Sequence, residues 1–257
     1  MNDNTPSKVA AVTLGFWIIK ILATTLGETG GDSVTMTMDL GYLVGSAIFL
    51  SALVVMVFLQ VRARKFHPFL YWGTIVASTT AGTTMADFAD RSLGIGYPGG
   101  SLLLFGCVIV TLVLWRITQG TVSVQSVLTP KVEVFYWVTI TFSQTLGTAL
   151  GDWAADAGLG YGGGALVFAA ALALVAAAYY LTRISRVWLF WIAFILTRPL
   201  GATLGDFFDK PVAQGGLDVS RPLASAIIAA AIVILILILP QRAADHPDRA
   251  MNPGERV

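Results

Sequence analysis

The sequence predicts an all-α, polytopic membrane protein with eight transmembrane helices, arranged as four tandem helical hairpins in two duplicated halves. Three observations carry that prediction. Of the 257 residues, 56% are hydrophobic and only 12% are charged, about half the charged share of a soluble domain. The apolar residues gather in stretches long enough to cross a hydrocarbon core of about 30 Å as helices. One element also recurs four times without a gap. A tryptophan (Trp17, Trp72, Trp137, Trp191) is followed ten residues later by glycine (Gly27, Gly82, Gly147, Gly201), and five residues after that by aspartate (Asp32, Asp87, Asp152, Asp206). Such a period marks one structural unit repeated, so function is to be sought in what four copies do together.

The spans follow in order. Residues 1–8 are polar and lack the pattern of a cleavable signal peptide, so none is expected. Residues 9–27 form span one, broken only by Lys20 and a few threonines, and Gly30, Gly31 and Asp32 end it. Span two is 40–61, closed by the basic cluster Arg62, Arg64, Lys65 and His67; spans three and four are 69–86 and 97–117. A linker, 118–130, leads to spans five (132–151), six (162–182), seven (187–205) and eight (222–239). The first half is thus 1–124, the second 125–241, and 242–257 is a polar tail expected to be loose, the whole making one membrane domain. Gene duplication accounts for the shift of 120 residues from Trp17 to Trp137. Odd-numbered spans carry the polar stripes and are expected to form an inner ring, with the aliphatic even spans facing lipid.

Orientation follows from basic residues. One side collects Lys8, Arg62, Arg64, Lys65, Arg116, Lys131, Arg183, Arg186, Arg242, Arg249 and Arg256, against Arg91, Lys210 and Arg221 on the other. The positive-inside rule makes the first side cytoplasmic, with both termini inside a bacterial inner membrane. Each repeat has two spans, so all four copies point the same way, as parallel repeats do. The four motif aspartates then lie at the outer face. A net charge of +1 gives no reason to expect nucleic acid, and the single Cys107 excludes an internal disulfide.

Several polar residues are candidates for a site. Thr25, Thr29 and Asp32 stand at i, i+4 and i+7 on one helix face, and Thr80, Thr84 and Asp87 repeat the set. Hydroxyls below a carboxylate give a ladder of oxygen ligands suited to Mg, Ca or Mn. Glu28 adds a second carboxylate in copy one, while Asp90, Asp156 and Asp209 follow the motif aspartates of the other copies. The bland reading is that these aspartates only cap turns or sit solvated at the headgroups. The motif glycines read as sites of close helix approach, and the four tryptophans as packing or interfacial residues.

Lys20 and Arg198 lie deep in their spans, about 18 Å and 12 Å along the helix from Asp32 and Asp206. A charge at that depth is costly unless it is paired or faces a wet cavity. One reading makes them tethered counter-ions that compete with a transported cation for the carboxylates, and the other a fixed structural pair. Lys20 shares a face with Thr24 and Glu28, and Arg198 with Asp206; Pro199 is expected to kink span seven. His67 and His246 read as surface residues. No phosphate loop, zinc spacing or nucleophile elbow is present, so neither an enzyme nor a cofactor is expected.

With its GETGGD segment and repeated G-x-x-x-G-D elements, the chain resembles a bacterial family of four-repeat integral membrane proteins, a likeness that implies architecture and no activity. A more distant similarity is to manganese and calcium exporters with the signature E-x-G-D-[KR]-[TS]. Glu28, Gly31, Asp32 and Ser33 carry it, with one extra residue between glutamate and glycine and no Lys or Arg. Copies two to four have Thr83, Thr148 and Ala202 in place of the glutamate. Together these point to a divalent cation transporter, a secondary exporter driven by protons, in which Asp32, Asp87, Asp152, Asp206, Glu28 and the threonines are ligands. A carboxylate that trades a proton for a metal couples both fluxes at one place. The alternatives are a non-transporting scaffold or sensor subunit whose aspartates are structural turns, and a lipid-modifying enzyme. The partners expected are the bilayer, a divalent cation and the proton; the sequence leaves oligomeric state open.

Overall fold

The structure, a computed structural model, describes residues 7–244; His246, Arg249, Arg256 and the rest of the expected tail beyond Ala244 lie outside it. Eight α-helices follow one another: α1 (Leu14–Asp32), α2 (Gly41–Arg62), α3 (Pro68–Asp87), α4 (Tyr97–Gln119), α5 (Pro130–Ala154), α6 (Gly160–Leu181), α7 (Arg186–Asp209) and α8 (Arg221–Ile238). A π-helical turn joins α5 to α6, and the two run on as one helical stretch of 52 residues, which taken as one helix leaves seven. Five helical stretches are long and apolar enough to cross a membrane, so the chain is an all-helical membrane protein. α1 and α3 are not among the five. Threonine, glycine and charge dilute their apolar character, for a reason the packing makes plain.

Local chemistry sets the helix ends. The Thr13 hydroxyl accepts from the Phe16 N–H and Thr129 from Val132, so α1 starts five residues later than the apolar run suggests. Proline fills the first turn of α3, α4, α5 and α8, where its missing N–H costs nothing. α7 runs unbroken through Pro199, although the sequence suggests a kink there. In copies one to three a π-helical turn follows the motif aspartate (Ser33–Thr37, Phe88–Ser92, Ala155–Leu159) and leads the chain outward. Copy four lacks it, and α7 continues to Asp209.

The odd helices close a ring, in which α1 packs on α3, α3 on α5, α5 on α7 and α7 back on α1. The even helices surround it, as the sequence suggests. Their pairing differs from the expected hairpins, because α2 lies on α3, α4 on α5, α6 on α7, and α8 returns to α1. Each even helix therefore packs against the odd helix of the next copy. In copies one to three this crossing follows a π-helical turn, and in copy four it is made without one.

Glycine decides how closely the ring closes. The residue seven places after each tryptophan enters the notch left by the preceding copy's motif glycine: Thr79 at Gly27, Gln144 at Gly82, Arg198 at Gly147 and Thr24 at Gly201. A second notch one turn on repeats the arrangement, with Thr83 at Gly31, Ala202 at Gly151 and Glu28 at Gly205. With no water to drive helices together in lipid, such close contact is the main source of association. The axis-facing residues recur every fourth position, a period longer than 3.6, which favours right-handed crossing.

At the tryptophan end the ring is filled by aromatic rings. Phe16, Tyr71, Trp72, Trp115, Tyr136, Trp137 and Trp191 are buried, and the Tyr71 and Tyr136 hydroxyls meet at 2.8 Å. The motif tryptophans Trp72, Trp137 and Trp191 are thus packing residues and not an interfacial belt. A strap covers this end. Residues 7–11 pair with 241–244 through an antiparallel bridge, Ala10 to Ala243, so the tail begins as an ordered segment. Lys8 donates to the Gln60, Val61 and Ala63 carbonyls ending α2 and meets Glu133 at 2.5 Å. The linker joins in, since the Trp191 indole donates to the Val122 carbonyl and Ser7 to Val124.

A methyl group at Gly201 would lie within 3.0 Å of Thr24. Gly201→Val is expected to destabilise the fold by about 1–3 kcal/mol through overpacking, seen as a lowered thermal midpoint and loss of the monodisperse peak in size exclusion. Gly30→Ala, which meets nothing within 4 Å, should leave both unchanged. Equal melting of the two variants would remove the notch as an explanation.

Candidate functional site

The ring interior is layered by the four-residue stripe. Outermost are Asp32, Asp87, Asp152 and Asp206, one from each odd helix and all buried. One turn inward stand Glu28, Thr83, Thr148 and Ala202; the next layer is Thr24, Thr79, Gln144 and Arg198; below it come Lys20, Ile75, Ile140 and Phe194. All twelve are buried. Four turns of ring thus pass from carboxylates through hydroxyls to two cations and then to the aromatic fill.

The aspartates fall into two pairs. Arg91 Nε lies 2.8 Å from Asp87 Oδ1, and its Nη2 lies 3.5 Å from Asp152 Oδ2. Lys210 Nζ lies 2.6 Å from Asp32 Oδ2 and 2.9 Å from Asp206 Oδ1. Arg221 Nε is 3.7 Å from Asp32 and 3.4 Å from Asp209. Arg91 and Lys210 each follow an aspartate of their own copy by four, one helical turn, and reach across to the next copy, whereas Arg221 comes from the start of α8. Each pair takes one aspartate from either half of the chain. Lys210 sits outside α7, where burial alone would lower its pKa; the three carboxylates of Asp206, Asp32 and Asp209 around it raise it far above the usual value.

These clamps escaped the sequence reading, which used Arg91, Lys210 and Arg221 only to orient the chain. The signal was available in the spacing Asp87–Arg91 and Asp206–Lys210. Of the secondary acids, Asp209 joins the site with both carboxylate oxygens lacking a hydrogen bond. Asp90 is buried against Gly100 of α4, and Asp156 is exposed; neither meets the motif aspartates.

The threonine ladder differs from expectation. Thr25 donates to the Ile21 carbonyl, Thr80 to Val76 and Thr84 to Ala81. Thr29 accepts from Ser225 of α8 at 2.9 Å, and Thr84 lies against Gly45 of α2. These four stand three residues off the axial stripe and turn toward their own backbone or the surrounding helices. The threonines on the axial stripe are Thr24, Thr79, Thr83 and Thr148, of which Thr83 and Thr148 meet the Arg198 guanidinium.

Deeper, the Arg198 guanidinium reaches every odd helix. Its Nη2 lies 2.9 Å from Glu28 Oε2, 2.5 Å from Thr83 Oγ1 and 2.6 Å from Thr148 Oγ1, and Nη1 donates to the Thr24 carbonyl at 3.4 Å. Arg198 therefore pairs with Glu28 and not with Asp206, the partner its own helix face offered. Lys20 donates to Thr197 Oγ1 at 3.3 Å and stands 4.2 Å from the centre of the Phe194 ring. No carboxylate lies within 4.0 Å of it among the described residues. Lys20 and Arg198 thus form no ion pair with the motif aspartates.

Glu28, Asp32 and Asp206 bring one oxygen each to within 4.8 Å of one another. That is the arrangement with metal-binding character, contributed by α1 and α7. The Oδ1 of Asp32 is buried with no hydrogen-bond partner. A hard cation held here would need Lys210 to move aside and further oxygens to complete six or more ligands.

Arg198→Met is expected to cost about 3–5 kcal/mol by leaving Glu28 buried and unpaired. Adding Glu28→Gln should recover part of the loss, so the double variant melts above Arg198→Met alone. Strict additivity of the two changes in thermal denaturation would mean that the pair does not interact.

The family model described as Repeat of Unknown Function (DUF347) matches residues 15–66, 70–121, 135–185 and 189–242. Each match covers one odd helix and the even helix after it in sequence. No curated protein and no solved structure matches the chain, and the exporter resemblance rests on the residues of copy one alone. Four matches spanning most of the sequence place the chain in the family of Repeat of Unknown Function (DUF347) proteins.

Proposed function

We propose that the chain is an eight-span transporter of divalent cations in a bacterial inner membrane, a proton-coupled exporter with both termini cytoplasmic. The observation that carries this reading is the position of Lys210, an ammonium among the carboxylates of Asp32, Asp206 and Asp209 and beside Glu28. Lys210 stands at the end of α7 on a flexible stem, and the carboxylates that hold it are the same ones a competing cation would take, so one cation can exchange for the other.

In this reading the described conformation is closed at both ends. Arg91, Lys210 and Arg221 lie over the aspartates, and the aromatic rings fill the other end. A metal ion displaces Lys210 and takes oxygens from Glu28, Asp32 and Asp206. Two protons on the same carboxylates replace it, so metal and proton exclude each other at one place and their fluxes couple. Ring glycines keep this site rigid while its clamps move.

A second reading, a scaffold or sensor subunit, draws on a different observation. Arg198 is fully buried and bound to three odd helices, with its carboxylate partner equally sealed. Such a pin suits a ring that never opens.

Purified protein in vesicles with an imposed proton gradient separates the two. Manganese flux with counter-movement of protons is expected for the wild type and should vanish in Asp32→Asn with Asp206→Asn. Lys210→Met should lower the apparent KM for manganese about tenfold, the weight of a competing ion pair of some 1.4 kcal/mol. Flux unaffected by alanine at Asp32, Asp87, Asp152 and Asp206 together would overturn the transport reading. No flux from well-folded protein would favour the scaffold.

A further inference from the structure

Below Arg198 the ring holds a lysine, Lys20, whose ammonium form meets no carboxylate. Lys20 is 0% exposed, and its ammonium carries three donors. Thr197 takes one of them at 3.3 Å, and the Phe194 face gives a second, weaker partner. The nearest carboxylate on its own stripe, Glu28, lies two turns above and is bound to Arg198 at 2.9 Å. With Lys20 as an ammonium, two cations face one anion at this depth. An ammonium left in that state inside a membrane ring needs a counter-charge.

Unused polar groups surround the same level. Gln144 is fully buried with neither its Nε2 nor its Oε1 in a hydrogen bond, and the Thr79 hydroxyl and Arg198 Nε are likewise without partners. All three belong to the layer one helical turn, about 6 Å, above Lys20. Donors therefore stand in two successive layers of the ring. Ordered water would satisfy an amide or a hydroxyl there, but would leave the extra charge standing.

We propose that the ring interior binds one small monovalent anion, of the size of chloride or nitrate, between the Lys20 ammonium and the level of Arg198 Nε and Gln144 Nε2. The anion balances the lower half of the ring, where Lys20 and Arg198 then meet Glu28 and the bound ion. It lies about 12–18 Å along α1 from Asp32, so it is separate from the carboxylate site and stands whether or not that site carries cations. Arg198 separates the two sites, with Nη2 turned to the carboxylate side and Nε to the anion side.

The test uses full-length protein in detergent and radioactive chloride in a scintillation proximity assay. Saturable binding displaced by nitrate but not by gluconate is expected. Lys20→Met should weaken it at least tenfold and Gln144→Leu severalfold, while Lys131→Gln, on an exposed basic residue, should bind as wild type. Should Lys20→Met fail to fold, Gln144→Leu and Thr79→Val decide, since both leave the charges in place. Absence of saturable binding in folded wild type, or binding equal to wild type in the interior variants, overturns the proposal.

Discussion

The Arg198 guanidinium has no surface left to water or lipid, so its charge and five donors must be answered by the helices around it. α1 supplies Glu28 and a backbone carbonyl, and α3 and α5 supply one threonine each. Removing any one helix leaves a buried cation short of a partner, which in lipid is more costly than the loss of ordinary packing. The side chain reaches the centre only because Gly147 leaves room for its stem. Glycine notches, hydroxyl layer and carboxylate therefore serve one requirement, that four helices meet closely around a charge.

The same requirement explains why the inner helices look too polar for a membrane. α1 and α3 need not be apolar all round, because α8 and α2 shield their outer faces. Thr25, Thr80 and Thr84 spend their hydroxyls on carbonyls three or four residues back, which satisfies each of them within its own helix. Aliphatic character is left to the outer helices. α8 buries only Ala224, Ile228, Ile232 and Ile236, a stripe one residue wide.

How much of this the sequence discloses depends on whether a feature is local or cyclic. The repeat, the inner ring and the packing role of Gly27, Gly82, Gly147 and Gly201 are legible, because each follows from periodicity within one helix. The pairing of α2 with α3 and not α1 is not, since it is a contact between copies that the pattern within one copy does not announce. The threonines mislead for a geometric reason. Thr25, Thr29 and Asp32 share a broad helix face, but the axis selects the narrower stripe of Lys20, Thr24, Glu28 and Asp32, and a hydroxyl just off it finds its own backbone first. Arg91 and Lys210 bridge to the next copy, so their roles emerge only when the ring is closed.

Closure also sets the order in which the chain can be assembled. The partners that α1 needs are the last to be made: Arg198 lies 170 residues after Glu28, and Lys210 178 residues after Asp32. At about 5–20 residues per second of synthesis, Lys20, Glu28 and Asp32 wait on the order of ten to thirty seconds for the helices that complete their environment. During that wait α1 holds three charged residues, Lys20, Glu28 and Asp32, whose partners on α7 and beyond are not yet made. Its biogenesis is therefore held open at the start and resolved only at the end, when α7 and α8 arrive and the two ends of the chain are brought together.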